Sequence, residues 1–128
     1  RIDLVCQVEQ AAPLELVGAN DGRCRTGVVR KRVVSARRRQ QRRLDGTGAL
    51  CNGDMDGRLT RREVPLDGAL TARMLQARHQ LSLSGRGYDR VLRVARTIAD
   101  LNSRERLEES DLDEALSYRL DGLDLLAA

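Results

Sequence analysis

Apolar residues recur at helical spacing in four segments of the chain, and the pattern is strongest after Ser84. Ser84 can cap a helix there, because a serine hydroxyl accepts a hydrogen bond from a free backbone N–H of the first turn. The apolar residues that follow lie three or four positions apart, which places them on one face. They are Tyr88, Val91, Leu92, Ala95, Ile98 and Ala99.

The same segment carries three arginines on another face. Arg86, Arg90 and Arg93 are spaced so that their guanidinium groups point the same way from a helix. Arg90 and Arg93 could pair with Asp89, Asp100 or the acidic last helix. Spacing alone favours an ordinary charged surface at this face.

Three further segments show weaker helical patterns. In the first, from Thr26 to Leu44, Thr26 is the predicted N-cap, and one side carries Val29, Val33 and Ala36. In the second, Pro65 forces a new start, and a helix to about Gln80 places on one face Leu66, Leu70, Met74 and Ala77. In the third, Ser110 is the predicted N-cap, and the inward residues are Leu112, Ala115, Leu116 and Leu120.

The first residues alternate like a short β-strand that has no second strand in the chain to pair with, so they suggest a missing sheet. The composition contains no Phe or Trp, and a core of aliphatic residues suits helices packed on helices. We therefore predict an all-α bundle of about four helices with a leftover strand at Arg1 to Val8. The predicted division is residues 1–25 for strand and linker, 26–120 for the helical domain and 121–128 for a tail.

Positive charge is concentrated between Arg30 and Arg43, where eight of fourteen residues are basic. Clustered arginines on a helix can neutralise nucleic-acid phosphates without reading sequence. The alternative is a solvated helix face, since no aromatic residue is present among them to stack on bases. The candidate nucleic-acid contacts are Arg30, Arg32, Arg37, Arg38, Arg39, Arg42 and Arg43.

Cysteine usage favours a reduced compartment, since Cys6, Cys24 and Cys51 are odd in number and form no CxxC pair. The sequence has no secretory signal and no apolar run near the roughly 20 residues of a membrane span. We expect a cytoplasmic protein without a membrane partner. The lone His79 has no ligand-type neighbour at metal-site spacing and is predicted to lie at the surface.

The segment LSLSGRGYDRVLRVARTIADL resembles a motif of the C-terminal domain of ComM/YifB-type magnesium chelatase-like AAA+ ATPases. VRKRVVSARRRQ is similar to that family's basic helix, and DLDEALSYR to its final helix. RIDL resembles the end of the LLDRIDL stretch that closes the ATPase core. The linker departs from the family at GRCRTG, where a Gly-Glu-Ser-Ser-like turn is expected.

The resemblance implies an ATP-driven motor, arranged as a hexameric ring, in which this domain is a helical lid over the nucleotide. It implies that Arg86 is the sensor 2 arginine, which contacts the nucleotide phosphates, and that Arg1 is an arginine finger acting on a neighbouring subunit. ATP and Mg²⁺ would be bound by the full-length protein. This chain has no GxxxxGK[ST] loop, so we expect no cofactor and no hydrolysis from it alone.

The resemblance leaves the motor's output open. The segment LRVARTIADL is more similar to ComM-like proteins than to the true chelatase subunit, so it favours a motor that acts on DNA. The alternatives are a motor subunit of porphyrin magnesium chelatase and a stand-alone basic helical module that binds DNA.

Residues 52–63 also fit the EF-hand calcium-loop template, with oxygen ligands at Asn52, Asp54, Asp56 and Glu63. The preceding LDGTGAL is a poor entering helix, and Pro65 would break the exiting helix. No second loop is present to pair with this one. We therefore interpret the match as accidental and predict no metal site here, with a calcium-binding loop as the alternative.

Overall fold

Five α-helices and one 3₁₀-helix form the regular structure of the computed structural model, which describes residues 3–6 and 26–127, with side chains up to Arg119. In chain order they are α1 Thr26–Arg43, the 3₁₀-helix Asn52–Asp54, α2 Gly57–Glu63, α3 Gly68–Gln80, α4 Gly85–Leu101 and α5 Glu109–Ala127. The prediction of an all-α helical bundle is confirmed. None of the described helices is both long enough and apolar enough to cross a membrane.

Helix α4 is the central element of the bundle. It packs against α5, α1, α2 and the 3₁₀-helix, and α3 packs on α5. Ser84 caps α4 as predicted, with its Oγ accepting from the Gly87 N–H at 3.1 Å. The predicted apolar stripe lies in the core, where Tyr88 is partly buried and the other five residues are buried.

The predicted strand at Arg1 to Val8 is not observed. Asp3 to Cys6 have no regular secondary structure, and Arg1, Ile2, Gln7 and Val8 lie outside the described residues. The Val5 N–H donates to the carbonyl oxygen of Tyr118 in α5 at 3.2 Å. A strand needs the backbone groups of a neighbouring strand, and here a helix carbonyl takes that place.

Helix α1 is described from Thr26 onwards with Thr26 already helical, and the residue before it lies outside the described residues, so the N-cap at Thr26 stays a prediction. Residues 26–34, the N-terminal half of α1, are all exposed. Val29 and Val33 are 48% and 44% exposed, whereas Ala36 and Gln40 in the C-terminal half are buried. The apolar side predicted for α1 therefore reaches the core only at Ala36.

Helix α2 was not predicted, because its seven residues contain a glycine and few apolar positions. Asp56 caps it by accepting from the Leu59 N–H at 2.7 Å. Asp67 caps α3 in the same way through the Leu70 N–H at 2.9 Å, so α3 starts at Gly68 and not at Leu66. The predicted inward face of α3 is confirmed, with Leu70, Met74 and Ala77 buried and Leu66 partly buried.

Helix α5 begins at Glu109, so the prediction that Ser110 is its N-cap is wrong. Asp111 acts at this end, with Oδ2 accepting from the Glu108 N–H at 3.1 Å, while the Ser110 hydroxyl accepts from Arg104. Leu112, Ala115 and Leu116 are buried as predicted. The backbone remains helical through residues 121–127, the segment predicted as a tail.

Helices α3 and α4 are each followed by a turn that contains a left-handed residue. Past α4, the Ser103 N–H donates to the Asp100 carbonyl and the Arg104 N–H to the Ala99 carbonyl, the paired bonds of a Schellman motif. Past α3, the Leu83 N–H donates to the Arg78 carbonyl. The left-handed residue is serine in both turns, Ser82 at φ 48° and Ser103 at φ 63°.

Candidate functional site

Arg86 lies in the first turn of α4, between two glycines. Its side chain is exposed and makes no hydrogen bond or ion pair with the described residues. A Cβ at Gly85 would meet no atom within 4 Å, so the backbone beside Arg86 is open to approach. A guanidinium held this way can bind a phosphate bidentately.

The other two arginines of the predicted face are engaged within the protein. Arg90 Nε lies 3.1 Å from Asp3 Oδ1. Arg93 Nη1 donates to the carbonyl oxygens of Gly53 and Met55 at 3.1 and 2.9 Å, which ties the 3₁₀-helix to α4. Of the three, only Arg86 is described without a partner, and Arg1 lies outside the described residues.

A buried polar network joins α1, the 3₁₀-helix and α4, and it is centred on Asp100. Arg43 donates to both Asp100 oxygens at 2.8 and 2.7 Å, and Asn52 Nδ2 donates to Oδ2 at 2.9 Å. Arg96, one turn earlier in α4, donates to Oδ1 at 3.0 Å. Asp100 and Arg96 are 1% and 3% exposed, so this is an ion pair of the interior.

Charge in this network is stabilised by the surrounding groups. Burial opposes ionisation of Asp100, but hydrogen bonds from Arg43 and Asn52 and the charge of Arg96 outweigh it and lower the pKa of the carboxyl. For Arg96, burial disfavours the charged guanidinium and so lowers its pKa, and the negative charge of Asp100 offsets part of this effect. Asp100 therefore stays ionised at neutral pH.

This network was not predicted, although the sequence contains a signal for it. Arg96 follows Leu92 by four residues and precedes Ala99 by three, so it lies on the buried stripe itself. A charged residue at such a position needs a partner, and Asp100 is four residues further on. Nothing in the spacing indicated that Arg43 and Asn52 would complete the set.

The basic residues of α1 fall into two groups. Arg30, Arg32, Arg37, Arg38 and Arg42 are exposed, as is Lys31, whereas Arg39 and Arg43 are half-buried. Arg43 is held by Asp100 and Asn52, and Arg37 Nη1 donates to Gln40 Oε1 at 3.2 Å. Arg43 is thus held within the fold, and the exposed basic residues remain accessible.

The four residues of the calcium-loop template have separate roles. Asn52 Oδ1 accepts from Arg43 at 2.8 Å inside the network. Asp54 Oδ2 accepts from the Leu50 and Cys51 N–H groups at 3.0 and 3.1 Å. Asp56 caps α2, and Glu63 Oε1 accepts from Arg62 Nε at 2.8 Å. Within the described part of the chain, no three His, Cys, Asp or Glu residues are grouped so as to hold a metal ion.

Two of the three cysteines can be placed. Cys6 is exposed and Cys51 is half-buried, both as free thiols, and Cys24 lies outside the described residues. A hydrogen bond from the Cys51 thiol, together with the backbone N–H groups of Leu50 and Cys51, lowers the pKa of Asp54. His79 is exposed at the end of α3, as predicted.

The described residues form a helical domain with a basic first helix and an exposed arginine at the start of α4. The chain belongs to the family described as "Magnesium chelatase, subunit ChlI C-terminal", whose model matches residues 24–119. Its relatives of the ComM and YifB type specify the branch of that family.

Competence protein ComM of Haemophilus influenzae is 31% identical over 93% of this chain. The uncharacterised YifB of Salmonella typhimurium is 37% identical over 73%, and an uncharacterised Mycobacterium tuberculosis protein is 34% identical over 95%. The chain spans 23%, 18% and 24% of the length of these relatives, respectively.

Proposed function

We propose that this domain is the lid and sensor of a magnesium chelatase-like AAA+ ATPase, which couples ATP binding and hydrolysis to motor action on DNA. The nucleotide and Mg²⁺ belong to an ATPase core in the same protein, and the partners are further copies in a hexameric ring. Membership of the family supports the role of the domain as a lid. Similarity to a competence protein supports a motor that acts on DNA in preference to one that serves porphyrin chelation. The free thiols of Cys6 and Cys51 support a cytoplasmic location.

The observation that carries the proposal is the position of Arg86. It projects from the first turn of α4 and has no partner among the described residues, while the rest of α4 is fixed in the core. A phosphate bound at Arg86 would therefore act directly on the helix that packs against four other elements of the domain. Movement of that helix would carry the whole bundle with it.

Arg86→Ala in a protein that joins this domain to its ATPase core tests the proposal. We expect the ATPase rate to fall about tenfold or more, because a charge-assisted bond to the nucleotide is lost. Arg78→Ala is the matched control, since Arg78 is an exposed arginine in the last turn of α3. Unchanged turnover in Arg86→Ala would remove the sensor assignment.

The finger role proposed for Arg1 is tested by mixing subunits. Rings of Arg1→Ala alone or Arg86→Ala alone should both be weakly active. In a mixed ring, an Arg1→Ala subunit can receive the intact Arg1 of an Arg86→Ala neighbour, so part of the activity should return. Absence of recovery on mixing would contradict an arginine that acts across the subunit interface.

Contact of α1 with DNA is proposed from its charge and exposure. Five of its arginines and Lys31 are exposed along one helix, with no acidic residue between Thr26 and Arg43. The ATPase rate of the longer protein should rise with branched DNA, and charge-neutral replacements at Arg30, Arg32 and Arg38 should remove that rise. An ATPase rate that does not change when DNA is added would favour a substrate other than nucleic acid.

The competing hypothesis is a stand-alone DNA-binding module, and a salt titration separates the two. A module should bind duplex DNA at physiological salt on its own, with log affinity falling by about 0.9 per phosphate contacted for each log unit of salt. A lid should bind measurably only at low salt. Tight binding by the isolated chain at 150 mM salt, roughly the physiological value, would favour the module.

A further inference from the structure

A cavity of about 370 Å³ lies where the C-terminal end of α1 meets the turn that follows α4. Its size is at the small end of the range for ligand sites in proteins. Four arginines and two acids line it: Arg39, Arg42, Arg43, Arg104, Asp100 and Glu105. No residue of this cavity belongs to the proposed nucleotide contact at Arg86.

Of the two acids that line the cavity, Asp100 is already occupied by protein donors, whereas no described donor binds the Glu105 carboxylate. Asp100 accepts four hydrogen bonds from Arg43, Asn52 and Arg96. Arg104 contacts Asp111 Oδ1 at 2.6 Å and Glu108 Oε1 at 3.2 Å. These ion pairs hold α1 and the turn after α4, the two walls of the cavity, in place. Within each pair the opposite charges neutralise each other.

Arg39 and Arg42 are different, because neither has a hydrogen-bond or ion-pair partner among the described residues. Arg39 Nε is buried and unpaired, and so is Nε of the adjoining Arg43. Residues 39, 42 and 43 lie three and four positions apart and share one face of α1. Arg42 is exposed and Arg39 is half-buried, so two unpaired guanidinium groups line the cavity where an acceptor can approach them.

The acceptor that fits is a phosphate group. Its oxygens match the paired N–H geometry of guanidinium groups, and its charge balances Arg39 and Arg42. We propose that the cavity seats one phosphate of a DNA backbone that runs along α1. The source of the phosphate rests on the DNA action proposed above, whereas the seat rests on the cavity and its unpaired donors.

A double-mutant cycle on the full chain tests the seat at low salt with duplex DNA as the probe. Arg39→Gln and Arg42→Gln should each weaken binding about tenfold. The double variant should lose little more DNA affinity than either single variant, because both arginines hold the same phosphate. Arg38→Gln with Arg42→Gln is the matched pair, and their effects should multiply, because Arg38 does not line the cavity.

Glu105→Gln provides a gain-of-binding variant. Glu105 is exposed and lines the cavity, so removing its charge should tighten DNA binding without disturbing the core. Weaker or unchanged binding would oppose the seat. Multiplicative losses for Arg39 and Arg42 would overturn the seat and leave DNA contact by α1 intact.

A second probe, inorganic phosphate, separates failure of the seat from failure of the DNA function. In ¹H–¹⁵N spectra, the Arg39 Nε–H signal should shift saturably on adding DNA and on adding phosphate. A shift with phosphate in a chain that does not bind DNA would overturn the DNA source. No shift with either probe would overturn the seat itself.

Discussion

Asp100 is a carboxylate that holds three elements together, since its partners lie in α1, the 3₁₀-helix and α4. Asp100→Ala leaves Arg96 buried without a counter-charge. We expect the free energy of unfolding to fall by about 3–5 kcal/mol, the usual result of removing one member of a buried pair. Urea denaturation followed by circular dichroism measures it.

Asp113→Ala is the control for that substitution. Asp113 pairs with Arg73 at 2.8 Å, but the Arg73 and Asp113 side chains are 31% and 47% exposed, so the loss should stay below about 1 kcal/mol. If the two variants lost the same stability, the buried position of Asp100 would not be the cause.

The lowered pKa of Asp100 also predicts a pH dependence. Its folded-state pKa lies below the ordinary value of about 3.9. Its contribution to the free energy of unfolding is therefore complete above the ordinary pKa and is lost as the pH falls through the folded-state pKa. The stability difference between the wild type and Asp100→Asn should therefore shrink below about pH 4. A difference that is constant from pH 7 to pH 3 would contradict the assignment.

Individual side chains were the hardest part of the site to predict from sequence. Helical spacing grouped Arg86, Arg90 and Arg93, yet only Arg86 is described without a partner. Spacing gives the direction of a side chain from its own helix and says nothing of which carbonyl or carboxylate a neighbouring element presents. Arg93 meets carbonyls of the 3₁₀-helix for that reason.

The N-terminus of α4 depends on a single hydroxyl. Ser84→Ala removes the acceptor of the Gly87 N–H and should cost about 1 kcal/mol of stability. Ser117→Ala, at an exposed position inside α5, should change stability by less than about 0.5 kcal/mol. An equal effect at the two sites in thermal unfolding would show that the cap is dispensable.

Elements with a local signal were predicted, and those set by tertiary contacts were not. The N-cap Ser84 and the apolar stripe of α4 can both be recognised from the local sequence alone. The exposure of Val29 and Val33 depends on what packs beside α1, which no local pattern contains. Helix α2 is short and begins at a glycine, so Asp56 and its neighbours give only a weak signal.

At the scale of the whole molecule, stability is concentrated in the core around α4. Leu92 is 1% exposed, and Leu92→Ala should cost about 2–5 kcal/mol through lost burial and the cavity left behind. Leu75 in α3 is 55% exposed, and Leu75→Ala should have little effect. Chemical denaturation of both variants distinguishes them, and similar losses would place the core elsewhere.

The all-α class and four of the five α-helices could be predicted, because apolar residues recur at helical spacing and the core residues are aliphatic. The way the helices meet could not, because it depends on side-chain contacts between distant segments. Arg43 and Asp100 are 57 residues apart in sequence and 2.7 Å apart in space. Only the folded chain brings such a pair together.

The serines at the left-handed positions past α3 and α4 show that this fold does not have the greatest stability its backbone permits. A left-handed conformation costs a side-chain-bearing residue about 1–2 kcal/mol, which exceeds the extra chain entropy of glycine, about 0.5–1 kcal/mol. Ser82→Gly and Ser103→Gly should each raise the melting temperature, as thermal unfolding would report. These two turns are therefore a starting point for engineering a hardier domain, since neither serine lines the phosphate cavity.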